Sequence, residues 1–163
     1  MSTAFSRTLE RMRGLTAGEI VAELHPIPPG TFRRASPIGR LEGHPLPAYK
    51  GPPHPFQIRP AREGQRNRTT GDSFGERRDT EARVELVVGY LDGNVDDLEI
   101  RMIEDSARLL RLHFSSRNWD KDVTGCELCE YQGTVYQAEP DGARALMVQT
   151  WRLELHDSWG TPV

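Results

Sequence analysis

Three groups of residues in this sequence have types and spacing that suit chemistry. Gly71-Asp72-Ser73-Phe74-Gly75 matches the pattern G-x-S-x-G. In hydrolases that pattern is a strained turn from a buried strand into a helix, and it presents the serine hydroxyl to a histidine base. Neither flank suits it here. Arg66 to Thr70 is polar, and Glu76 to Thr80 leads into a strand. No spacing sets His113 or His156 beside Ser73, so a serine hydrolase using Ser73 is the weaker alternative and no catalytic residue is assigned. Cys126-Glu127-Leu128-Cys129 has C-x-x-C spacing. One such pair is half of a zinc site, and no second Cys/His pair follows at ribbon or finger spacing. Residues three apart on a strand point to opposite faces. The two cysteines are therefore expected to fill small apolar gaps, with no metal and no cofactor. The third group is Arg62, Arg66, Arg68, Arg77 and Arg78, set among Glu63, Asp72, Glu76 and Asp79 for a local net charge of +1. Dedicated nucleic-acid binding draws its affinity from a larger basic excess. The group suits carboxylate partners on another protein, and it is compatible with a transient contact to passing DNA.

The elements that must carry these residues fall into three stretches. Ser2 to Leu24 reads as helical: Phe5, Leu9 and Met12 recur at helical spacing, and Ser2 or Thr3 can cap the start. Gly14 is expected to interrupt it. Thr16 and Glu19 have capping-box spacing for a second helical piece, although Ile20, Ala22 and Leu24 also alternate as in a strand. The stretch 25–80 is proline- and arginine-rich, with ten of the twelve prolines between Pro26 and Pro60. Proline removes a backbone donor and disfavours helix before it. A loop region is expected there, relieved only by two short edge strands at 31–38 and 56–59, with the charged residues 61–79 as turns.

The stretch 81–157 is expected to hold the core of a single domain spanning 1–163. Ala82, Val84, Leu86, Val88 and Tyr90 alternate as one apolar strand face. A helix follows, capped by Asn94 and acidic at its start, with Val95, Leu98, Met102, Ile103, Leu109, Leu110 and Phe114 as one broad apolar stripe. Cys126 to Tyr131 and Thr134 to Ala138 read as two strands around Gln132-Gly133. A long last strand spans 143–156, partly apolar on both faces, which suggests a central position or burial by a neighbouring subunit. The fold class expected is α+β: a small, mostly antiparallel sheet packed against one or two helices, with a proline-rich loop insertion.

The 163 residues carry a net charge of -3, but the halves differ. Residues 1–80 hold 13 basic and 8 acidic side chains, and residues 81–163 hold 8 and 16. Opposite halves on one small subunit suit contact with another copy. Only Lys50 and Lys121 are lysine. Arginine forms bidentate carboxylate pairs that lysine cannot, although a base-composition bias in the genome also favours it. No run reaches the ~18 apolar residues of a membrane helix, and Met1 to Arg13 lacks a signal-peptide stretch. Cytosolic synthesis without membrane association is the expectation.

The run Thr80-Glu81-Ala82-Arg83-Val84-Glu85-Leu86-Val87-Val88-Gly89-Tyr90, the acidic-start helix ending at Leu109-Leu110, and the closing Val148-Gln149-Thr150-Trp151-Arg152-Leu153-Glu154-Leu155 carry a resemblance. Together with the order helix, interrupted strands, strand, helix, hairpin, they resemble the tail terminator proteins of long-tailed bacteriophages and gene transfer agents. The similarity covers about the last half of the chain and is one of pattern; the insert from Pro26 to Pro60 departs from it. The resemblance implies a structural virion protein, made in the host cytoplasm and placed in the tail or neck. It implies a homo-oligomer, a hexameric ring that caps the tail tube protein and meets the head-tail connector protein, with DNA passing through the lumen. Another neck component, a connector or tail-completion protein, shares such small α+β folds. Arg62, Arg66, Arg68, Arg77, Arg78 and Trp151 are the residues expected to contact other subunits or partners.

Overall fold

The computed structural model describes residues 3–35, 52–61, 66–72, 75–91, 95–138 and 144–160. Helix α1 (Ala4–Ala17) starts where Thr3 and Ser6 cap each other reciprocally, side chain to backbone, at 3.1 and 3.0 Å. It ends at Gly18, whose left-handed conformation (φ 75°) lets its amide reach the Leu15 carbonyl. Gly14 does not interrupt it. The chain after the helix folds back so closely that a Cβ on Gly14 would lie 2.6 Å from Ile20 Cδ1. Ile20 to Leu24 is neither helix nor strand, and Thr16 caps nothing. Its hydroxyl donates back to the Met12 carbonyl at 2.7 Å.

Strands β1 (Phe32–Arg34), β2 (His54–Pro60), β3 (Arg66–Asp72), β4 (Gly75–Leu91), β5 (Cys126–Ala138) and β6 (Arg144–Gly160) form one six-stranded sheet. Its order is β1-β2-β4-β6-β5, with β3 also paired to β4. The pair β1–β2 is parallel and the others are antiparallel. β4 and β6 form the spine, in unbroken register from Gly75 opposite Gly160 to Leu91 opposite Arg144. Helix α2 (Val95–Phe114), a 3-10 turn at Ser116–Asn118 and the short α3 (Lys121–Thr124) lie between β4 and β5. This is the expected α+β fold.

One face of the sheet packs on the helices. Val84, Leu86, Val88 and Tyr90 of β4 meet Met147, Trp151 and Leu153 of β6 there. Leu9, Met12 and Leu15 of α1 and Leu98, Met102, Leu109 and Leu112 of α2 complete the same core. Asn118 ties the crossing together: its side-chain amide donates to the Leu24 and Leu112 carbonyls at 2.7 and 2.9 Å, and its Oδ1 accepts from the Leu24 amide at 2.9 Å.

Two expectations about the first half are corrected. The core is not confined to 81–157, because α1 together with Phe32, Phe56 and Ile58 belongs to it. In the stretch 25–80 the two short strands expected stand as β1 and β2, but β2 is not an edge strand and the charged part is not only turns. β2 lies between β1 and β4; its prolines stand at the margins of the pairing, Pro55 before the β4 ladder begins at Phe56 and Pro60 at the end of the strand, beyond β1. The charged residues 66–72 and 75–80 are strand, in β3 and at the start of β4. Part of the proline-rich stretch, 36–51, lies outside the described residues.

Candidate functional site

The even-numbered positions of β4 from Ala82 to Tyr90 face the helices, so the odd-numbered ones face the other way. On that second face Arg59 of β2 pairs with Glu85 of β4 at 2.9 Å. Arg152 of β6 donates to three carboxylates: Glu81 at 3.0 Å, Glu130 at 3.2 Å and Glu154 at 2.6 Å. One cation thus holds three anions drawn from β4, β5 and β6. The same face is apolar further along, where Val87 and Leu146 are buried with Ala35 and Val148. This sheet is therefore polar and apolar in separate zones on the side away from the helices.

The exposed large apolar side chains are not scattered. Among the described residues there are eight, and six fall on α2 or β5: Ile100, Ile103, Phe114, Leu128, Val135 and Tyr136. α2 carries two apolar stripes, not one. Leu98, Met102, Leu109 and Leu112 are buried. Ile100, Ile103, Ala107, Leu110 and Phe114 follow a second row, spaced alternately by three and four, and Phe114 is 70% exposed. Ser106 touches Thr134 of β5 at 3.2 Å and accepts from Gln149 of β6, which places this second row on the β5 side of the helix. A groove of about 570 Å³ joins the two elements, with Phe114 and Leu128 in its walls and Trp119 and Cys126 beside them. The broad single stripe expected on α2 is thus split, with Ile103 and Phe114 turned outwards. The signal was the 3-4-3-4 spacing itself, which ran beside the core stripe.

The arginine group is partly gathered. Arg66 and Arg68 lie on β3, Arg77 and Arg78 on β4, and the antiparallel register sets Arg68 opposite Asp79 and Thr69 opposite Arg78. β6 continues the row, with Asp157 opposite Arg78 and His156 opposite Asp79. Arg62 lies outside the described residues. Trp151 does not belong with them. It is 0% exposed, its ring stands edge-on to Tyr131 and His113 at 5.4 and 5.9 Å, and its Nε1 donates to Gln149. The expectation that Trp151 contacts a partner is corrected: β6 lies between β4 and β5, so its apolar face is spent on the subunit's own core.

The remaining motifs are placed as follows. Gly71 and Asp72 end β3 and Gly75 opens β4, so the G-x-S-x-G pattern stands between two antiparallel strands; Ser73 itself lies outside the described residues. Cys126 and Cys129 both turn to the core side, against the expected opposite faces. A bulge between Cys126 and Leu128 shifts the alternation by one residue. Burial pushes the Cys126 thiol up to about 12 and raises that of Cys129 as well. Among the described residues no three His, Cys, Asp or Glu side chains converge as a metal site.

Two buried polar pairs hold the helices to the rest. The Tyr90 phenol donates to Asp105 of α2 at 2.8 Å, and burial raises the Asp105 carboxyl above its usual range. His113 meets Thr16 at 2.9 Å. The Thr16 hydroxyl already donates to Met12, so the imidazole Nε2 carries the proton and Nδ1 is a buried acceptor with no partner. Burial lowers the His113 pKa to about 3.

No protein-family model and no curated protein matches this sequence.

Proposed function

We propose that this protein is a structural subunit that works by assembling with copies of itself, and that it is a tail terminator of the phage and gene-transfer-agent type. The observation that carries the reading is the apolar flank formed by α2 and β5. Ile100, Ile103 and Phe114 are exposed along α2, and Leu128, Val135 and Tyr136 are exposed on β5, Val135 and Tyr136 on opposite faces of the strand; exposed apolar surface of that kind marks a protein interface. The pattern resemblance of the last half of the chain to tail terminators names the kind of assembly. A ring needs heterologous contacts, in which one patch meets a different patch on the next copy. An acidic second half and a basic first half supply patches of opposite sign. In this reading the ring stops growth of the tail tube, presents its other side to the head-tail connector, and lets DNA through its lumen. The virion is its place of work. Among the described residues no helix is long and apolar enough to cross a membrane.

The test is reconstitution with the tube protein encoded beside this gene. Added during polymerisation, the protein is expected to shorten the tubes and to appear as an extra ring at one end in electron micrographs. Tubes of unchanged length with bare ends sink the reading.

A further inference from the structure

The sheet ends differently on its two sides. On one side β5 has β6 as its only neighbouring strand among the described residues, and no described strand lies beside its outer row of amide and carbonyl groups. Val135 is 55% and Tyr136 45% exposed along it. Two bulges, after Cys126 and after Tyr131, break its regularity, but Gly133 to Ala138 runs in unbroken register. Bulges protect an edge from indiscriminate pairing, and a flat stretch remains a template for a strand of matching length. β5 carries Glu127 and Glu130 and no basic residue.

On the other side β3 pairs with β4 alone, alongside Gly75 to Glu81 and beyond the reach of β2. Its seven residues, Arg66 to Asp72, include no apolar side chain. Hydrophobic burial, the dominant force holding strands to a core, therefore has nothing to act on in β3. It does carry Arg66 and Arg68 at its start.

We infer that β3 of one copy adds to the free edge of β5 in a second copy, so that the sheet continues from subunit to subunit. The two strands have opposite charge, the seven residues of β3 fit the unbroken stretch Gly133 to Ala138 of β5 to within one residue, and among the described residues each has a strand on one side only. Parallel addition brings Arg66 and Arg68 to the end of β5 that holds Glu130; antiparallel addition takes them away, so the charges select the parallel form. Each added copy still has one free β3 and one free β5, so the contact repeats and either closes into a ring or runs on as a filament. The inference rests on the self-assembly part of the proposed function and not on the tail.

Disulfide trapping tests it. Thr69→Cys and Val135→Cys sit at the middle of the two strands. Combined in a Cys126→Ala, Cys129→Ser background and oxidised with copper phenanthroline, they are expected to give a covalent ladder above the dimer. Each single variant is expected to stay monomeric on a non-reducing gel. A dimer from Val135→Cys alone means that two β5 edges pair with each other, which overturns the inference. Oligomers of native size with no ladder also overturn it and leave the ring reading standing. A ladder from protein that fails to cap tubes supports it and removes the tail reading.

A charge exchange keeps the test independent of the cysteine background. Arg66→Glu with Arg68→Glu is expected to weaken assembly by about tenfold or more, as is Glu127→Arg with Glu130→Arg. All four together are expected to restore it. If the fourfold variant melts like the wild type but stays dissociated, the inference is wrong.

Discussion

Arg152 and Glu81 face each other diagonally across the β4–β6 spine, Nε to Oε1 at 3.0 Å, on the side of the sheet away from the helices. The same guanidinium serves Glu130 and Glu154. Removing it takes away the one guanidinium that Glu81, Glu130 and Glu154 share. Arg152→Ala is therefore expected to lower the melting temperature, and by more in dilute buffer than at about 0.5 M salt, where the Debye length falls to a few ångströms. Equal losses at both ionic strengths would mean that Arg152 acts through packing of its stem alone.

Gly125 stands where the start of α1 meets the end of β6. Its φ is 75°, its carbonyl accepts from the His156 amide at 2.8 Å, and a Cβ there would lie 2.6 Å from the His156 carbonyl oxygen and 2.9 Å from Ala4 Cβ. Gly125→Ala is expected to cost roughly 1–3 kcal/mol in denaturant unfolding. Gly14→Ala meets only the movable Ile20 side chain and gains about 1 kcal/mol of helix propensity, so it is expected to cost less. The reverse order would contradict the close approach at Gly125.

His113 makes stability depend on pH. Its pKa falls from 6.5 to about 3 on folding. Above pH 6.5 it is neutral in both states and contributes no slope. Between pH 6.5 and about 3 the unfolded chain takes up a proton that the native state refuses. Stability therefore falls with pH in that window, by up to about 1.4 kcal/mol per pH unit. His113→Gln, which keeps a donor for Thr16, is expected to flatten this part of the profile. An unchanged slope would show that other groups set it.

Much of the second half was legible in the sequence because its signals are periodic. The alternation from Ala82 to Tyr90 and the start and end of α2 gave the spine and the crossing helix almost as they stand. Three features were not legible, each for a physical reason. β3 and the start of β4 carry charge on nearly every other residue, so their strand character comes from pairing with each other and with β6, which no local pattern reports. The bulge after Cys126 reverses the face of Cys129, and a bulge has no fixed sequence signature. Trp151 read as a contact residue because β6 is apolar on both faces; that it is wholly internal depends on β5 flanking it.

The outward row of α2 separates assembly from folding. Ile103 and Phe114 are both more than half exposed, so Ile103→Glu and Phe114→Ser are expected to change unfolding free energy by no more than about 0.5 kcal/mol. Both are expected to weaken self-association strongly. Loss of stability in step with assembly would show that the row belongs to the subunit's own core.

Native mass spectrometry of the purified protein tests the central claim most directly. A subunit of 18.4 kDa that works by heterologous self-contact is expected to give a closed ring of one discrete mass, a sixfold multiple if it follows the tail terminators it resembles. A single species at the monomer mass at every concentration, in buffer that keeps the chain folded, would contradict it.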